Sequence, residues 1–344
     1  MNPTSPAADR PAANQALREA LAGVRGFVLD ADGVLVLRGA ALPGAVDALA
    51  RLEAKGIPYR IATNYSSAHR GTLAARFRAD GLSIPDDRVV TAASATAAHT
   101  AAAFPGQPLF VITKPDGRRE FEGQHLMRYE DADAPGAQAA AVVIGDGDAE
   151  LSFANLDRAF RLIRGGAALL AMHRNPWWFT SRGPTLDSGA FVAALEFATG
   201  AHAVVCGKPG PIMFRTALAG LTTDLGRRVA ARDVVMVGDD PGQDIAGARR
   251  LGMRGILVLT GKTSATEAAN LLGALRPGTP VVRRSRAIPD AVAPSLADLV
   301  AALDCPPTGP HQRRPGAVPI APAASPRRVT SAPGSPAPHE GDGR

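Results

Sequence analysis

The feature that most restricts this chain is a repeated order: a short apolar run, one or two polar residues, then a stretch with helical spacing. The runs are Gly26–Leu29, Tyr59–Ala62, Ala203–Cys206, Asp233–Val237 and Gly255–Leu259. Each is too short for a helix and largely apolar, as a strand buried on both faces must be. Helical stretches fall between them. Pro43–Lys55 has its proline near the first turn and Gly56 just past its end, and a second helix is capped by Ser66 or Ser67 and ended by Gly81. Pro211–Leu221 and Asp244–Leu251, the latter closed by Gly252, follow the later runs. Strand, helix, strand in this rhythm predicts an α/β fold with a parallel sheet covered on both faces. Such sheets bind ligands beyond the carboxyl ends of their strands, so the residues just after each run carry the functional information.

Those residues are Asp30-Ala31-Asp32, Thr63-Asn64, Gly207-Lys208-Pro209 and Gly238-Asp239-Asp240, with Asp244 shortly after. Singly, each has a bland reading as a turn, a helix cap or a solvated lysine; Asp244, for instance, would N-cap its helix. Together at one sheet edge they describe phosphoryl chemistry. A carboxylate such as Asp30 can attack phosphorus and form an aspartyl-phosphate. A second carboxylate, Asp32, can protonate the leaving oxygen and later take a proton from water. Carboxylates gathered on one edge repel, and Mg²⁺ suits an all-oxygen site that must relieve that repulsion. Asp30, Asp239 and the main-chain carbonyl of Asp32 are the expected metal ligands. Lys208 balances the remaining charge, and Thr63 with the N–H groups after it can hold phosphate oxygens.

In this order and form the four motifs resemble the haloacid dehalogenase (HAD) superfamily of phosphatases. The Thr-Asn and Gly-Lys-Pro forms are similar to its NagD and p-nitrophenyl phosphatase-like subclass. Asn175–Pro209, with Leu186–Val192, resembles the phospholysine phosphohistidine inorganic pyrophosphate phosphatase-like members. The resemblance implies a Rossmann-like core and an inserted α/β cap of C2 type. It implies Asp30 as nucleophile, Asp32 as acid and base, and Thr63, Asn64 and Lys208 as phosphate-binding residues. Asp239 would hold Mg²⁺, and Asp244 would stand behind it or orient Lys208. Gln243 departs from the pattern, standing where the family usually has Thr. The implied activity is hydrolysis of a small phosphate ester; a phosphoryl mutase could use the same groups, and a phosphate-responsive regulator is the reading from another class. A homodimer through the insert is also implied.

Thr63 and Lys208 lie about 145 residues apart, whereas one crossover needs roughly 30. An insert over residues 86–200 is therefore expected between core segments 16–85 and 201–304. Its strands would be Leu109–Thr113, Ala141–Ile144 and Ala168–Met172, with helices near Ser152–Arg164 and Gly189–Thr199. Trp177 and Trp178 in it face substrate, a dimer partner or its own core. His173 reads as a structural histidine. Gly145–Asp148 reads as a turn, and Gly261-Lys262-Thr263 lacks the earlier glycine of a P-loop.

Residues 305–344, rich in Pro, Ala and Arg, have no Phe, Tyr or Trp and are expected to be disordered, as is segment 1–15. The formal charge of +6 rests partly on five arginines in that C-terminal segment, and only four residues of the chain are lysine. That composition bias and the absence of nucleic-acid motifs argue against a nucleic-acid partner. Two cysteines exclude a disulfide scaffold and fit a reducing, cytoplasmic setting. No apolar run is long enough to span a membrane, and no secretory signal begins the chain.

Overall fold

The computed structural model describes residues 10–180, 183–273 and 287–304. Segment 305–344, with Cys305, lies outside the described residues. Among these residues no helix is long and apolar enough to cross a membrane.

In chain order the strands are β1 (Gly26–Leu29), β2 (Val36–Leu37), β3 (Ala40–Ala41), β4 (Tyr59–Thr63), β5 (Val89–Thr91), β6 (Leu109–Ile112) and β7 (Ala141–Ile144). They continue with β8 (Ala168–Ala171), β9 (Trp177–Thr180), β10 (Gly183–Leu186), β11 (Val204–Val205), β12 (Val234–Gly238), β13 (Arg254–Val258) and β14 (Ala291–Ala293). Six form one sheet in the order β14-β13-β12-β1-β4-β5, parallel at every pairing. A second parallel sheet runs β11-β8-β7-β6. The central strands β1 and β12 are buried at every position, because helices cover both faces. On one face the helix Pro211–Asp224 lays Phe214, Ala217 and Leu221 against Val28, Val234 and Met236. On the other, the helix Ala45–Ala54 contributes Leu49 and Leu52 to a core with Phe27, Leu29 and Val235.

Three expectations are corrected here. Residues 10–15 begin a helix, Arg10–Leu21, rather than belonging to a disordered tail, because Leu17, Ala20 and Leu21 reach the core. Val89–Thr91, which a boundary at residue 86 places in the insert, pairs with β4 in the six-stranded sheet. The run at Ala203–Cys206 belongs to the second sheet, where β11 pairs β8. An apolar run says that a strand is buried; it does not say in which sheet. Two caps also differ: His69 caps the helix Arg70–Ala79 by accepting from Gly71 N, and Asp240, not Asp244, accepts from Gly242 N and Gln243 N.

A buried ion pair fixes the first sheet to its covering helix. Arg60 on β4 is almost wholly buried, and its guanidinium donates to both oxygens of Asp224 (2.5 and 2.8 Å) and to Gly220 O (2.9 Å). Asp224 keeps some solvent, so the general cost of breaking a buried pair must be reduced for screening. Arg60→Ala should lower the unfolding free energy by about 2–3 kcal/mol, read from urea denaturation. An unchanged midpoint would mean that the pair contributes nothing.

Candidate active site

Both sheets aim their carboxyl ends at one cavity of about 450 Å³. From the first sheet, β1 delivers Asp30 and Asp32, β4 delivers Thr63 and Asn64, and β12 delivers Asp239. From the second, β6 leads to Lys114, β7 to Asp146, β8 to His173 and β11 to Lys208. Every site residue expected from sequence except Asp244 lines this cavity, and Asp244 is fully buried directly behind it.

Lys208 is the electrostatic centre. Its Nζ lies 2.6 Å from Asp30 Oδ1 and 2.8 Å from Asp244 Oδ1. Burial works against the ammonium, but Asp244 and Asp30 outweigh it and hold the Lys208 pKa above its ordinary value. Burial raises the pKa of Asp30, with Lys208 opposing, and burial likewise raises those of Asp32 and Asp239. Asp244 is pushed up to about 7 by burial and by the charge of Asp30. One ammonium therefore does not offset the carboxylates gathered around it.

Carboxylate oxygens of Asp30, Asp239 and Asp244 lie within 4.8 Å of one another. The Asp239 carboxyl rests in a cradle of two glycines. A Cβ on Gly33, whose φ is +74°, or on Gly261 would collide with it. Its Oδ2 accepts from Lys262 N (2.6 Å) and its main-chain oxygen from Thr263 Oγ1 (2.6 Å). Asp244 is already engaged, by Lys208 and by Asp240 N on its Oδ2 (3.0 Å). An oxygen-only donor set with Asp30 and Asp239 at its front fits a hard divalent cation.

Asn64 lines the cavity, and its side chain is engaged with the chain around Lys208. Its Oδ1 accepts from Lys208 N (2.7 Å), and its Nδ2 donates to Lys208 O (3.0 Å) and to Gln243 Oε1 (2.6 Å). The amide thus clamps the main chain of Lys208. Gln243, the departure from the family pattern, continues the chain by donating from Nε2 to Asn175 Oδ1 (3.2 Å). Thr63 is buried at the cavity floor, with its hydroxyl accepting from Tyr65 N.

Several lining residues escaped the sequence reading. Gly261-Lys262-Thr263 is no P-loop, yet it follows β13 and holds Asp239. Lys262 Nζ also donates to Asp240 Oδ2 (2.7 Å). Asp146 and His173 follow β7 and β8, and Asp187 precedes the helix Ser188–Thr199. Burial of Asp146 is outweighed by its bond to His173, which holds its pKa down to about 2. Asp187 is pushed up to about 6 by burial and by Asp146. Asking what stands after each strand of the insert would have found the first two. Trp177 and Trp178 are each about half exposed, at 51% and 52%, so neither is insert core; Trp178 lines the cavity.

A parallel sheet edge carrying a buried Asp–Lys pair, a second aspartate two residues on and a cradled carboxylate goes together here with similarity to one family of hydrolases. A haloacid dehalogenase-like hydrolase family model matches residues 27–127, and a HAD-hydrolase-like model matches 205–299. Haloacid dehalogenase-like hydrolase domain-containing protein 2 of Bos taurus is 34% identical over 252 residues, covering 73% of this chain and 89% of that protein. Phospholysine phosphohistidine inorganic pyrophosphate phosphatase of Rattus norvegicus is 33% identical over 255 residues, covering 71% and 86%. The solved structure of 4-nitrophenylphosphatase from Thermotoga maritima is similar with a TM-score of 0.67 at 29% identity, covering 82% of this chain and 98% of that one. The chain belongs to the haloacid dehalogenase-like hydrolases.

Proposed function

We propose that this hydrolase is a Mg²⁺-dependent phosphatase that acts on a small phosphomonoester through an aspartyl-phosphate on Asp30. The observation that carries the reading is the buried Asp30 carboxylate, open to the cavity and 2.6 Å from Lys208 Nζ. The names of the rat and Thermotoga relatives, both phosphatases, support it. A cavity of about 450 Å³ suits a small-molecule substrate.

In the first step an Asp30 oxygen attacks phosphorus, the ester P–O bond breaks, and Asp32 gives its proton to the departing oxygen. In the second, Asp32 takes a proton from water, the water oxygen attacks the phosphoryl group, and the bond to Asp30 breaks to release phosphate. Lys208 neutralises charge on Asp30 and on the phosphoryl oxygens. The Thr63 hydroxyl and the N–H groups after it hold those oxygens, while the Asn64 amide keeps Lys208 in place. Asp30 and Asp239, with the main-chain carbonyl of Asp32, would hold Mg²⁺, which when bound supplies positive charge to the phosphoryl oxygens. A homodimer through the insert belongs to the same proposal; the insert exposes Phe153, Leu186 and Phe197.

The test is free-phosphate release from p-nitrophenyl phosphate, sugar phosphates, phosphoglycolate-like acids, nucleotides, pyrophosphate and phospholysine, with Mg²⁺ present. Release from at least one class is expected; an isomer in place of free phosphate would indicate a mutase. Asp32→Asn should cost alkyl esters roughly 10²–10⁴-fold in kcat. It should cost p-nitrophenyl phosphate less in the ester-cleavage step, because that leaving group departs without a proton. Equal, small losses on both would remove Asp32 from the acid role.

A further inference from the structure

The loop that follows β4 is gripped from the side of the second sheet. Thr113, just after β6, brings Oγ1 to 3.1 Å from Ser66 O and 3.0 Å from Asp146 O, one hydroxyl between two carbonyls. Asp146, after β7, donates from its main-chain N to Ser66 Oγ (2.9 Å). His173, after β8, brings Nε2 to 3.3 Å from that same oxygen and to 2.8 Å from Asp146 Oδ1. Ser66 is fully buried and His173 almost so. Asn175 N donates to His173 Nδ1 (3.3 Å), which leaves the lone pair on Nδ1 and the proton on Nε2. His173 therefore donates to the Asp146 carboxylate from a fixed tautomer. Two residues on, Asn175 reaches the same loop by its other side, through Gln243 to Asn64.

A buried imidazole donating to a half-buried carboxylate at the cavity wall is a restrained joint, and a preorganised loop binds an anion without first ordering itself. The loop in question begins at Asn64 and continues directly from Thr63, the last residue of β4. Metal capture by Asp146, His173 and Asp187, whose ligand atoms also lie within 4.8 Å of one another, is disfavoured by the same tautomer. A ligating Nε2 would move the proton to Nδ1, against the Asn175 N–H.

We propose that His173 is a positioning residue for phosphate binding: through Asp146 and Ser66 it holds the loop after β4 in the shape that receives the phosphoryl group. This rests on the phosphatase reading for its substrate, but not for its test.

The test compares the full-length protein with His173→Leu and His173→Gln, in Mg²⁺, by calorimetric binding of inorganic phosphate and by kinetics on p-nitrophenyl phosphate. His173→Leu should weaken phosphate binding about 10-fold and raise KM by a similar factor, with kcat changed less than ~3-fold. His173→Gln should return phosphate affinity to within ~3-fold of the parent, since its amide N–H can take the place of Nε2–H toward Asp146. If the leucine variant does not fold, Ser66→Ala, which deletes the shared hydroxyl, is expected to weaken phosphate binding in its place. Parental affinity in both His173→Leu and Ser66→Ala, or a glutamine variant no better than leucine, would assign His173 to packing alone. Absence of phosphate binding by the parent would overturn the proposal too. A parent that binds phosphate but hydrolyses no ester would sink the phosphatase reading instead, leaving the calorimetric comparison to decide on His173.

Discussion

Asp30→Asn is expected to reduce phosphate release by at least about 10⁴-fold, the scale of losing a covalent step. The substitution keeps the size of the side chain and removes only its nucleophilic charge. Lys208 retains Asp244 at 2.8 Å, so its ammonium is not left buried without a partner, and the thermal melt should stay near that of the parent. That combination, an intact fold with turnover gone, separates a nucleophile from a residue that merely holds the site together. Full turnover by the asparagine variant would refute the assignment, and with it the phosphoryl-aspartate step.

Chelation with EDTA is expected to abolish turnover, and added Mg²⁺ to restore it. The carboxyl groups of Asp30, Asp239 and Asp244 converge, and Lys208 offsets only part of their charge. Binding also has a readout that needs no reaction: a ligand held only by the folded state raises the melting temperature. Mg²⁺ should therefore raise the melting temperature of the parent but hardly that of Asp239→Asn, because the amide fills the same glycine-lined space without the negative charge that attracts the cation. Turnover that continues at full rate in excess EDTA would reject the site as drawn.

The parallel core and its reactive edge were legible because they depend on local information. An apolar run such as Gly26–Leu29 declares burial, and a polar residue directly after it must stand at the sheet edge. Information carried by distant partners was not legible. The residue type and place of Asn64 were plain, but its bond to the Lys208 main chain spans the whole insert. Asp240 and Asp244 are both able caps, but the helical segment begins at Pro241, so Asp240 caps it and Asp244, inside it, meets Lys208. The role of Lys262 was hidden by reading Gly261-Lys262-Thr263 as a failed motif rather than as the end of β13. His173 looks like an ordinary core histidine until β7 and β8 are seen to end beside Ser66.

The place of β11 in the second sheet has a consequence for how such proteins diversify. Lys208 follows a strand that belongs with the insert, while its ammonium serves an aspartate of the other sheet. An exchange of the second sheet that runs on through Pro209 would carry a new lysine to the Asp30 edge along with the new pocket wall. The cavity wall from the second sheet and the lysine paired with Asp30 thus lie on one continuous stretch of chain. Chimaeras between relatives should be spliced after Pro209, not at the sheet boundary before Val204, if the donor's own lysine geometry is to travel with its selectivity.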